Sequence, residues 1–222
     1  MSARDAFLPS LSPGAPPDPL RLAQLALAFQ HRLEQLPHST DPSWTSWADV
    51  QSAFEPLQPS AARRCAVTTL FARRCGPLPE LPELATPGGR LALLERHALL
   101  SRLCALALLS RPGVMRCCIE RRTRLAIESA LGPALGALRA VAHEGPVVPA
   151  PVAAWMPIQW ACVGYTDLWR AGVWSHRSLR RMVRLVLPVR WPLSLSAVPS
   201  PHLPTPEALR RLHPLFEGET SW

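Results

Sequence analysis

Apolar residues fall into a helical rhythm from the start of the patterned region. Leu22, Leu25, Phe29, Leu33 and Leu36 recur at steps of three and four, which predicts an amphipathic helix opened by Asp18-Pro19 and ended by Pro37. Trp44, Trp47, Val50 and Phe54 repeat the pattern behind Asp41-Pro42 and predict a short helix that stops at Pro56. A third runs from Ser60 to Cys75, its apolar middle Val67 to Phe71 flanked by Arg63-Arg64 and Arg73-Arg74, with Gly76-Pro77 as the stop. The stretch from Thr86 to Gly145 then organises the rest. Thr86-Pro87 supplies a hydroxyl cap and a proline suited to the first helical position. Leu91 to Leu109 is apolar nearly all round and predicts one helix buried on every side, until Arg111-Pro112-Gly113 breaks it. Val114 to Leu131 predicts a second helix, on which Arg116, Glu120, Arg124 and Glu128, four apart, are expected to stack on one face. Gly132-Pro133 stops it, and Pro133 to His143 reads as a third, closed by Gly145-Pro146.

Beyond that, Pro146-Val147-Val148-Pro149-Ala150-Pro151 is expected to be extended. Trp155 to about Ala171 reads as helix, with a turn at Gly172. Ser175 to Leu187 is the clearest amphipathic segment: Leu179, Met182, Val183, Val186 and Leu187 share one side, Arg177, Arg180, Arg181 and Arg184 the other. A last short helix starts at Thr205-Pro206-Glu207 and reaches Leu212. The chain therefore reads as all-α: a single irregular helical domain with proline-rich, loosely ordered termini. A disordered N-terminal tail is expected at 1–17, the helical domain at 18–188, and a proline-rich C-terminal tail with a short helix at 189–222. The distribution of the 26 prolines supports this, since only Pro112 and Pro133 fall between Gly88 and Gly145.

Charge changes the picture. The net +8 is carried by residues 61–190, where nineteen arginines face seven acids, while the flanks are slightly acidic. All 24 basic residues are arginine, which excludes chemistry that needs a P-loop, Schiff-base or kinase-type lysine. The six cysteines form no C-x-x-C, and residues 1–17 contain no continuous apolar run of signal-peptide length, so a reducing cytosol is expected. Leu91 to Leu109 contains Glu95, Arg96, His97 and Arg102, and its clean part falls short of the roughly 20 residues of a membrane span.

Candidate chemistry is thin. No Cys or His pair has zinc-site spacing, and Cys117 and Cys118 would point about 100° apart on a helix. There is no G-x-S-x-G, and nothing pairs Cys162 with a histidine. Among the carboxylates, only Asp167 lies in a stretch that otherwise reads as functional. Gly132 and Gly136 have helix-approach spacing, but a proline intervenes and a helix stop is the simpler meaning. Trp155, Trp160, Trp169 and Trp174 could stack bases or serve as core and interface anchors. Two basic-patch readings stand beside a plain solvated face: nucleic-acid binding, with no recognisable motif, and a membrane-surface role for the Ser175 to Leu187 helix.

The block RPGVMRCCIERRTRLAIESALGPALGALR, Arg111 to Arg139, followed by LWRAGVWSHRSLRRMVRLVLP, Leu168 to Pro188, resembles the SctK-type accessory proteins of bacterial type III secretion. The resemblance is to the version of the Hrp-type systems and covers roughly residues 90–190. It implies a non-enzymatic cytosolic adaptor, peripheral to the inner membrane through protein contacts. Its implied partners are the cytoplasmic domain of the inner-membrane ring protein and the pod protein of the sorting platform. No catalytic, cofactor-binding or metal-ligating residues are implied, and neither a small-molecule substrate nor a specific nucleic acid. The residues expected to meet partners are Trp169, Trp174, Arg177, Arg180, Arg181 and Arg184, an arginine strip beside tryptophans suited to an acidic surface.

Overall fold

The computed structural model describes residues 19–45, 61–191 and 198–216, and within them all regular structure is helical. In chain order the helices are α1 (Pro19–Glu34), α2 (Leu36–Ser39), α3 (Ala61–Cys75), α4 (Leu81–Ala85), α5 (Pro87–Leu93), α6 (Arg96–Ser110) and α7 (Gly113–Cys117). They continue as α8 (Arg121–Leu131), α9 (Ala134–Ala140), α10 (Ala150–Ala153), α11 (Pro157–Arg170), α12 (Arg177–Leu185) and α13 (Thr205–Leu212), ending in a 3₁₀ turn, His213–Phe216. The expected tail at 1–17, the Trp47 to Phe54 part of the expected second helix, and the caps at Asp18 and Ser60 lie outside the described residues.

Hydrophobic burial centres on α6, where Leu99 and every residue from Ser101 to Ser110 are buried. Its chief partner is α11, buried continuously from Trp160 to Leu168. The two backbones touch at Gly164: a Cβ there would stand 2.0 Å from the Leu103 carbonyl oxygen, so only glycine permits this crossing. α1 packs Leu25, Phe29 and Leu33 of its predicted stripe inward but ends at Glu34, with Leu36 buried from α2 and Pro37 inside that short helix; Phe29 meets Phe71 of α3 edge to face with ring centroids 6.0 Å apart. The Thr86 cap forms as predicted, its Oγ1 accepting from the Gly89 N–H at 3.0 Å.

Two predicted long helices are broken. The Leu91 to Leu109 helix is two, because Leu94 and Glu95 are extended (ψ 146° and 157°). The break turns Leu94 into the core and lets α5 pack on α12 while α6 runs on with α11. The Val114 to Leu131 helix is also two, interrupted at Cys118 to Glu120, so Arg116, Glu120, Arg124 and Glu128 do not form one stack. Arg116 instead donates to the Gly145 carbonyl at 2.9 Å, Glu120 accepts from Thr123 Oγ1 at 3.0 Å, and Glu128 pairs with Arg139. The Pro146 to Pro151 run is not extended throughout, since α10 begins at Ala150.

The C-terminal stretch, expected as a loosely held tail, is packed where it is described. Ala208, Leu212 and Phe216 are buried and α13 lies on α6. Backbone N–H groups of His202 and Leu203 both donate to the Ser110 carbonyl, at 2.7 and 3.2 Å, satisfying an orphan acceptor at the end of α6.

Candidate interaction surface

The amphipathic pattern of α12 carries into the structure: Leu179, Met182, Val183, Val186 and Leu187 are all buried. The arginines on its other side divide into two groups. Arg177 is exposed, and Arg180 lies over the indole of Trp169, 5.5 Å from guanidinium carbon to ring centroid, a cation–π contact. Trp169 sits in the last turn of α11 and is 53% exposed, the one large exposed aromatic ring among the described residues.

The other predicted partner-binding residues are engaged within the molecule. Trp174 is only 7% exposed; its Nε1 donates to the Gly88 carbonyl at 2.9 Å and its ring stacks on Tyr165 at 5.2 Å. Arg184 lies between the rings of Trp44 and Trp191, at 5.1 and 4.6 Å. It donates to the Leu187, Pro188 and Val189 carbonyls, closing the C-terminal end of α12, and burial pulls its pKa down. Arg181 reaches across to donate to the Arg74 carbonyl at 2.8 Å, tying α12 to the end of α3. The strip read from the sequence therefore separates into an outer group, exposed Trp169 and Arg177 with half-buried Arg180, and a second group, Trp174, Arg181 and Arg184, that ties elements together.

Asp167, the carboxylate that stood out in the sequence, has a structural partner. Arg111 grips it bidentately, Nη1 to Oδ2 at 2.7 Å and Nη2 to Oδ1 at 3.2 Å, with the side chains 3% and 7% exposed. Arg111 Nε also donates to the Pro199 carbonyl at 2.7 Å, so one guanidinium joins the end of α6, α11 and the C-terminal segment. Read from sequence, Arg111 was only part of a helix stop. The available signal was a lone acid inside an otherwise apolar helix, which needs a buried cation.

Buried thiols point away from nucleophilic chemistry. Burial pushes Cys75, Cys104 and Cys162 up to about 12, leaving them protonated and inert at neutral pH, whereas Cys65 is exposed. Among the described residues no three His, Cys, Asp or Glu side chains converge as a metal site would need, and no helix is long and apolar enough to cross a membrane.

An all-α body with guanidinium and indole groups on its surface defines the chain as an arginine-rich helical protein. Residues 19–216 match the family model described as bacterial type III secretion protein (HrpB4), and the chain belongs to that family. SctK-type accessory proteins fit it. Neither a curated protein nor a solved structure matches the chain.

Proposed function

We propose that this type III secretion protein is a non-enzymatic cytosolic adaptor, bridging the cytoplasmic domain of the inner-membrane ring to the pod of the sorting platform. Membership of the secretion family over nearly the whole chain carries the proposal. The surface supports it: an exposed tryptophan overlaid by an arginine, with a second, exposed arginine on the same helix as the first, is the composition of an interface anchor. It suits a carboxylate-bearing partner, because each exposed guanidinium can take a carboxylate in two hydrogen bonds.

The nucleic-acid reading loses support from the use of the arginines. Arg111, Arg116, Arg139, Arg181 and Arg184 are tied into intramolecular contacts, which leaves fewer guanidinium groups for phosphates than the net charge suggests. The deciding experiment is affinity purification of the tagged protein from secreting cells, with crosslinking and mass spectrometry. Ring and pod components are expected to co-purify and to crosslink to this chain. Recovery of ribosomes, nucleic acid or lipid without any secretion component would overturn the adaptor reading.

A further inference from the structure

A second surface has the form of a socket. The connection between α7 and α8 and the C-terminal end of α9 enclose an open cleft of about 510 Å³. Met115, Ile119 and Ala142 give it an apolar lining, and Arg116, Arg124 and Arg139 surround that lining with no carboxylate among the side chains that form it. Ile119 is 82% exposed, although it sits in the helix break at Cys118 to Glu120, where a polar residue would meet no steric or packing cost.

The three cations are not equivalent. Arg116 donates to the Gly145 carbonyl and Arg139 pairs with Glu128, so both hold the walls of the cleft. Arg124 is exposed, and its guanidinium makes no hydrogen bond or ion pair among the described residues. Arg121 and Arg122 are exposed on the first turn of the same helix. An apolar pocket beside a few available guanidinium groups suits one hydrophobic side chain flanked by carboxylates. It does not suit a phosphate backbone, which has no apolar group to fill the pocket and needs more cations than remain available here.

We infer that this cleft docks an acidic protein segment, which seats one aliphatic or aromatic side chain against Met115 and Ile119 and places its carboxylates on Arg124. The inference rests on the adaptor reading in one respect: a bridging protein needs two separate surfaces, and this one shares no residue with the Trp169 face.

The test places a photo-crosslinking amino acid at position 119 of the full chain in secreting cells, with the crosslinked peptide sequenced. A peptide with acidic residues around an apolar one is expected, from a secretion component. In Arg124→Glu, the yield of that crosslink should fall at least several-fold while circular dichroism stays unchanged, because Arg124 supports no other group. Absence of a crosslink, a crosslink to nucleic acid, a peptide without acidic excess, or a yield indifferent to Arg124→Glu would each overturn the inference. Purification of the unmodified chain in the same cells keeps the two proposals apart. Where the crosslink test fails but the unmodified chain still recovers ring and pod components, the cleft assignment alone has failed; where it recovers none, the adaptor reading has failed.

Discussion

Arg180, Arg184 and Arg111 carry the same guanidinium and are used in three ways: one over an exposed ring, one closing a helix end between two rings, one inside the core on a carboxylate. Substitution should separate these uses. Arg180→Ala is expected to leave the urea midpoint within experimental error, whereas Arg184→Ala should lower it, because three carbonyls lose their donor. Asp167→Asn, which leaves the Arg111 cation buried without a counter-charge, should destabilise by about 3–5 kcal/mol in equilibrium denaturation. The thiols give a pH dependence with a definite sign. Burial raises Cys104 and Cys162 from 9.0 to about 12, so above about pH 9 the unfolded chain sheds these protons first and the native state keeps them. Stability is therefore full below pH 9 and falls as pH climbs from there toward 12. Melting temperatures at pH 8 and pH 10 should differ, and the difference should shrink in Cys104→Ala with Cys162→Ala; an unchanged difference would refute the assignment.

Among the elements, the crossing of α6 and α11 depends on the backbone approach at Gly164. Gly164→Ala drives a methyl into the Leu103 carbonyl and should cost about 1–3 kcal/mol or more, read as a lowered urea midpoint with the α-helical spectrum retained. Thr86→Ala, which removes one cap, should cost about 1 kcal/mol by the same measurement. These elements were legible in the sequence to different depths. The Thr86-Pro87 start, the Gly132 and Gly172 stops and the buried face of α12 followed from local chemistry, since a cap, a positive φ or a period of 3.6 is written in neighbouring residues. The breaks at Leu94 and at Cys118 to Glu120 have neither proline nor glycine to announce them. What sets them is tertiary: Leu94 gains burial by leaving the helix, and a hydropathy pattern that is apolar all round cannot show where a turn of it bends inward. The same limit applied to the surface. A helical wheel puts Arg177, Arg180, Arg181 and Arg184 on one side, but it cannot show that Trp44, Trp191 and the end of α3 come to meet two of them.

For the whole molecule, the division of the arginine strip decides which charge reversal tests function. Arg177→Glu with Arg180→Glu should preserve helicity and reduce recovery of partners and secretion together, since Arg177 is exposed and Arg180 is half-buried over an exposed ring. Any reversal that includes Arg184 would confound binding with stability. Unchanged recovery and secretion in a folded Arg177→Glu, Arg180→Glu protein would show that the Trp169 face is merely solvated.

The grip of Arg111 on Asp167 and Pro199 also sets a timetable. Its two anchors lie 56 and 88 positions further along the chain. At a synthesis rate of about 5–20 residues per second, the carbonyl that completes this cluster is made about 4–18 s after the guanidinium itself. Throughout that interval the nascent chain carries a charged side chain at the end of its most apolar helix, with Ser110 and Arg111 awaiting residues 199–203. The guanidinium cluster is thus completed late, and until α11 has been made the newborn chain passes through a period in which α6 is sticky and unshielded. A chaperone that covers apolar helices is expected to crosslink to chains arrested between residues 111 and 157, and to release them once α11 has emerged.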